Sequence, residues 1–181
     1  SRERVGGIKA FQSLDDLPAA PDAAFIGVNR NATIQIVRRL QSMQAGGAIC
    51  FASGFKEATD GASLQEDLLQ AAGDMPILGP NCYGALNALD QIALWPDQHG
   101  LMPVKSGVAI ISQSSNIAIN LTMQKRGLPI AYVITIGNQA QQGISDIATT
   151  LLNDDRVTAL GLYIESFGDI AQFEAMALHA S

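Results

Sequence analysis

The chain has 181 residues, 48% of them hydrophobic, with 17 acidic against 11 basic side chains and a formal net charge of -6. That length and apolar share can bury a sizeable core, enough for one large or two small α/β domains. The acidic balance, with no cluster of Lys or Arg, argues against a nucleic-acid or anionic-membrane surface. The apolar runs are strand-sized and fall short of the roughly 18 to 20 residues a membrane-spanning helix needs.

In chain order, residues 8–11 read as a short strand at best, and 24–28 as the first clear one. A helix is predicted over 33–43, where Ile36, Val37, Leu40 and Met43 share a face. A strand over 48–52 ends at Ser53-Gly54-Phe55. A helix over 63–72 then leads to Gly73, suited to a C-terminal cap, and to a strand over 76–78. Residues 85–106 lack this rhythm, and Trp95-Pro96-Asp97-Gln98-His99-Gly100 and Met102-Pro103 read as a connector between two units. After it come a strand over 107–111, a helix over 116–125, a strand over 130–136, a helix over 144–152, a strand over 159–164 and a helix over 170–179. Gly127-Leu128-Pro129 punctuates the first of these helices. There is no tandem repeat of fixed period and no low-complexity tract.

Strands alternating with helices imply an α/β fold with parallel pairing, right-handed crossovers and helices on both sheet faces. Ligands in such folds sit outside the carboxyl ends of the strands. Two apolar strands end there in small or amide side chains, at Gly79-Pro80-Asn81-Cys82-Tyr83-Gly84 and at Ser112-Gln113-Ser114-Ser115. The second opens an amphipathic helix, whose unpaired N–H groups and partial positive charge suit an anion. A phosphorylated ligand is therefore expected.

Each segment also has a plainer reading. Residues 79–84 can be a tight turn around a buried cysteine, and chemistry alone somewhat favours that; Cys82 has no neighbouring His or cationic cluster to make it a nucleophile. Ser112, Gln113 and Ser114 can be an N-cap and no more. Asp146, near the start of its helix, suits the macrodipole without a ligand. Glu165, at the end of a strand, either faces water or pairs with a positive group such as a protonated imidazole. His99 and His179 read as surface residues, and no metal site is expected. Cys50 and Cys82 form neither a metal nor a redox spacing, and the start has no apolar signal region, which points to a cytoplasmic protein with reduced thiols.

Taken together, Ser53-Gly-Phe-Lys-Glu57, Gly79-Pro-Asn-Cys-Tyr-Gly84, Ile111-Ser-Gln-Ser114, Thr135-Ile-Gly-Asn138 with Gly143 and Asp146, and Tyr163-Ile-Glu-Ser166 resemble the NDP-forming (ADP-forming) acyl-CoA synthetase family, related to succinyl-CoA ligase α-subunits. The resemblance implies two Rossmann/flavodoxin-like parallel-sheet units in tandem. Residues 1–100 would be the later part of a CoA-binding domain, truncated at its N-terminus, and 104–181 a ligase domain. The family joins a carboxylic acid to CoA through acyl phosphate and phosphohistidine, with ATP or ADP and Mg held by a separate ATP-grasp module in the same or another chain. Carried over, Asn81 and Cys82 would lie near the CoA thiol end, Ser112, Gln113 and Ser114 would receive the phosphoryl group, and Glu165 would pair with a phosphohistidine outside this chain. The family's glycine-rich phosphate loop has no counterpart here, and Ser115 stands where the family has glycine. The resemblance thus implies a fragment inactive alone, with CoA and a small carboxylic acid or acyl phosphate as partners and an oligomeric assembly. An alternative is a non-catalytic CoA or acyl-CoA-sensing module, for example fused to an acyltransferase; a blander one is a scaffold domain.

Overall fold

The computed structural model describes residues 3–180; the first two residues and the last, which the expected domain ranges include, lie outside them. It opens on an exposed antiparallel hairpin, β1 (Arg4–Val5) with β2 (Ile8–Lys9). The first parallel sheet follows in the order β3 (Ala24–Ile26), β4 (Ala48–Cys50), β5 (Ile77–Leu78). Its crossovers are α1 (Arg30–Ser42) and α2 (Ala62–Ala72).

Side chains alternate across this sheet, as a period of two requires. Ala48, Cys50 and Ile77 join Val37 and Leu40 of α1 and Leu68, Ala71 and Ala72 of α2 in one core, whereas Leu78 packs into the core of the second unit. The buried face of α1 is Thr33, Ile34, Val37 and Leu40; Ile36, expected on it, packs from the flank. The helix also starts three residues earlier than the apolar spacing predicts. Asn29 Oδ1 accepts the Ala32 N–H at 3.0 Å and so caps a first turn that carries no apolar signal. Gly73 ends α2 as anticipated, at φ +52° with its N–H on the Leu69 carbonyl.

Part of the expected connector is a hairpin, β6 (Ala85–Asn87) with β7 (Ile92–Leu94). It extends a second sheet whose order is β10-β8-β9-β6-β7, made by β8 (Gly107–Ser112), β9 (Ile130–Thr135) and β10 (Val157–Tyr163). β8 pairs parallel with both β9 and β10, and β6 joins β9 antiparallel. One face carries α4 (Ile144–Leu152) and α5 (Ile170–His179), packed through Ile144, Ala148, Leu151 and Met176 on Ala109, Ile111 and Ile134. The opposite face carries α3 (Ser115–Thr122), whose Ala118 meets Ile110, Ile130 and Val133. α3 ends three residues before the predicted boundary, and α4 and α5 match theirs. The architecture is the α/β arrangement of two tandem parallel-sheet units inferred from the alternation. No helix among the described residues is long and apolar enough to cross a membrane.

Candidate functional site

The carboxyl ends of β3 and β4 open on a cleft of about 640 Å³, lined by residues 27–30, 51–53, 81–83 and by Ser115 and Asn116. Two helices begin there: Asn29 and Arg30 are the cap and first residue of α1, and Ser115 and Asn116 are the first two residues of α3. Each N-terminus presents unpaired backbone N–H groups and about half a positive charge, so their convergence gives an acidic protein one locally positive hollow. Arg30 stands at its edge with its charge paired. Its guanidinium spans the Gly54 carbonyl at 2.6 Å and the Asp60 carboxylate at 2.6 and 3.0 Å. That hydrogen-bonded pairing raises the Arg30 pKa and lowers that of Asp60. Phe51 and Tyr83 supply an aromatic wall, with ring centroids 5.7 Å apart.

The turn at residues 79–84 joins the two sheets. Asn81 and Cys82 donate their backbone N–H groups to Ala52 and Cys50 of the first unit, while Asn138 and Ala140 of the second donate to the carbonyls of Pro80 and Gly79. The peptide bond before Pro80 is cis, and Asn81 is left-handed at φ +57°. Gly137 is required here: at φ +53°, a Cβ on it would stand 2.2 Å from the Pro80 oxygen.

Asn81 is exposed at the rim of the cleft, and Cys82 contributes to its lining while only 1% exposed. The thiol turns inward and donates to the Thr135 carbonyl at 2.8 Å. Burial pushes its pKa up to about 11, with Thr135 and Gly84 pulling the other way. At neutral pH it is a protonated thiol.

The serine turn lies next to the cleft, at the end of β8. Ser112 is fully buried; its hydroxyl donates to the Ser114 carbonyl at 2.7 Å and accepts the Ser114 N–H at 3.1 Å, so it shapes the turn. Ser114 caps α3. Gln113 reaches sideways: its side-chain oxygen accepts the N–H groups of Glu165 and Ser166, and its amide donates to Ser166 Oγ at 3.1 Å. The structure therefore brings Gln113 and the exposed Glu165 together, and sets them beside α3, whose first residues face Asn81 across the cleft. His99 lines a separate pocket beside the β6-β7 hairpin, and His179 a groove between α4 and α5. Among the described residues no group of three His, Cys, Asp or Glu is placed to hold a metal.

Residues 1–88 match the model of a CoA-binding domain, and residues 105–181 that of a succinyl-CoA ligase-like flavodoxin domain. The chain belongs to the ADP-forming acyl-CoA synthetase family. It is 29% identical to a trans-feruloyl-CoA synthase of unknown prokaryotic origin, over 99% of this chain and 26% of the relative. It is 28% identical to the ADP-forming 4-hydroxybutyrate–CoA ligase of Nitrosopumilus maritimus, over 96% of this chain and 26% of the relative. The apo dinucleotide forming acetyl-coenzyme A synthetase 1 of Ca. Korarchaeum cryptofilum superposes with a TM-score of 0.85 at 25% identity, over 98% of this chain and 39% of its own. The chain thus spans about a quarter of the length of these two acyl-CoA synthetase relatives.

Sequence reasoning did not place Arg30, Phe51 or Asn116 at the site. Arg30 had no local signal beyond its position after a strand. Phe51 read as an ordinary strand residue.

Proposed function

We propose that this cleft binds CoA, and that the chain is the CoA-binding and ligase region of an ADP-forming acyl-CoA synthetase. The observation that carries the reading is the meeting of two helix N-termini and Arg30 on one cleft edged by Asn81. Phosphates at a helix N-terminus gain typically 0.3 to 1 kcal/mol, up to about 2 in partly buried geometries. Arg30, held by Asp60 and the Gly54 carbonyl, fixes the edge of the cleft beside the start of α1. Phe51 and Tyr83 offer an apolar wall to the rest of the ligand.

In this reading residues 1–100 hold CoA, with their β6-β7 hairpin added to the sheet of the ligase unit, and 104–181 form that unit. Asn81 and the backbone of Cys82 lie toward the thiol end. Ser112, Gln113 and Ser114 shape the start of α3 to receive a phosphoryl group, and Glu165 pairs with the imidazole of a phosphohistidine from outside residues 1–181. ATP or ADP, with Mg, is handled by an ATP-grasp module in the same or another chain of a cytoplasmic oligomer. The co-substrates are a small carboxylic acid or its acyl phosphate.

Calorimetric titration of the chain with CoA, against dephospho-CoA and ATP, tests the binding half. Saturable binding selective for CoA is expected, and no binding at millimolar CoA contradicts it. For the reaction, the enzyme containing this region should release ADP and phosphate when given CoA, a carboxylic acid and ATP; release of AMP and pyrophosphate rules the assignment out. CoA binding with no acyl transfer by that enzyme would favour the sensing alternative.

A further inference from the structure

Glu57 lies in the loop between β4 and α2, and both of its carboxylate oxygens are engaged. One accepts the Gly54 N–H at 2.6 Å; the other accepts Nδ2 of Asn138, 81 residues away in the second unit. Asn138 then turns its Oδ1 to Nδ2 of Asn81 at 3.5 Å, and its backbone N–H to the Pro80 carbonyl at 2.9 Å. Partial burial works against the ionised form of Glu57, but the loop N–H groups and the Asn138 amide outweigh it and hold its pKa below the ordinary value.

The direction of this relay follows from donor and acceptor chemistry. An ionised carboxylate only accepts. Asn138 must therefore present its NH2 to Glu57 and its oxygen to Asn81, and Asn81 must answer with its own NH2. The oxygen of Asn81 is then the end left for a ligand. We infer that Glu57 is a positioning residue: its negative charge, passed through Asn138, orients the Asn81 carboxamide so that the cleft offers an acceptor to a ligand donor, such as a pantetheine amide N–H or a thiol. This rests on the CoA reading of the cleft. Glu57 itself is exposed, so its bonds add little to global stability. Their effect falls on which end of the Asn81 amide meets the ligand.

Reversing the relay tests it. In Glu57→Gln the new side chain must give its oxygen to the Gly54 N–H, its NH2 then faces Asn138, and both asparagines turn over. Adding Asn138→Asp restores an acceptor opposite both the glutamine NH2 and the Asn81 NH2, which returns Asn81 to its original orientation. The single variant should keep the wild-type melting temperature and bind CoA about tenfold more weakly, the size expected for one mismatched polar contact. The double variant should recover most of that loss. Wild-type affinity in Glu57→Gln, or a double variant no tighter than the single one, overturns the inference. The Asn81 side-chain NH2 resonances report the relay without ligand and should move in the single variant and return in the double. If the wild type fails to bind CoA while these resonances move as described, the CoA reading falls and the relay stands; if they do not move, the relay falls.

Discussion

The ring of Trp95 meets the ring of Tyr83 edge-on, with centroids 4.9 Å apart, and Tyr83 in turn lines the cleft. Trp95 is the only tryptophan of the chain, so the cleft has a built-in reporter one ring away. A ligand that packs on Tyr83 changes the surroundings of the indole. Saturating CoA should therefore shift or quench the tryptophan emission with the same midpoint as the calorimetric titration, and Tyr83→Leu should remove most of that change. Emission that stays flat while heat is released would place the ligand elsewhere.

The join between the two units has little tolerance at Gly137. Alanine there faces a left-handed backbone and a Cβ that overlaps the carbonyl oxygens of Pro80 and Asn81 at 2.2 and 2.5 Å. Gly137→Ala should lose on the order of 2 to 4 kcal/mol of stability, seen as a lower urea midpoint. A variant within about 0.5 kcal/mol of the wild type would mean that the turn is not held as described.

Gln113 is the cross-brace between the start of α3 and the loop after β10. Gln113→Ala removes the one oxygen that accepts the N–H groups of both Glu165 and Ser166, and a donor to Ser166 Oγ. Amide exchange at those two positions should accelerate by about tenfold or more, with the strand interior of β10 unchanged. Affinity for inorganic phosphate should fall in parallel. Unchanged exchange at Glu165 and Ser166 would remove Gln113 from its bracing role.

Both thiols are buried, and burial raises them from an ordinary 9.0 to about 12 for Cys50 and about 11 for Cys82. An acid whose folded pKa is raised stabilises the fold fully below the unfolded value and loses that contribution as pH rises through the folded one. Stability should therefore decline from about pH 9 upward, and Cys82→Ala should show a shallower decline than the wild type although its stability at pH 7 is lower. Native protein should also react with a thiol reagent only as fast as it opens. Equal slopes in both proteins, or fast labelling at pH 7, would show that Cys82 is not sealed in.

Local pattern carried much of the architecture. α4 has strong apolar periodicity, both α4 and α5 have acidic residues at their starts, with Asp146 accepting the Gly143 N–H and Asp169 the Gln172 N–H, and their predicted limits match. Where a first turn carries no apolar residue and depends on a cap, as at Asn29, the boundary moved. The β6-β7 hairpin was not legible at all, because its strands are three residues long and its partner β9 begins only at Ile130. At the site, the polar ends of the strands at residues 79–84 and 112–115 and at Glu165 could be read from their position after apolar runs. The inward turn of the Cys82 thiol could not, since its partner Thr135 lies 53 residues away.

Apart from the β6-β7 hairpin, the residue order by itself determined where the main strands and helices lie, that the strands run mostly parallel, and that their small and amide residues gather at the carboxyl ends. Those features depend on periodicity and on the handedness of the crossover, which are properties of a few dozen consecutive residues. Only the tertiary structure decided that α1 and α3 aim their N-termini at one cleft, that Arg30 and Phe51 stand in it, and that Glu57 reaches Asn81 through Asn138. Such pairings depend on the register and packing of two separate sheets, where a shift of one residue turns every side chain to the opposite face.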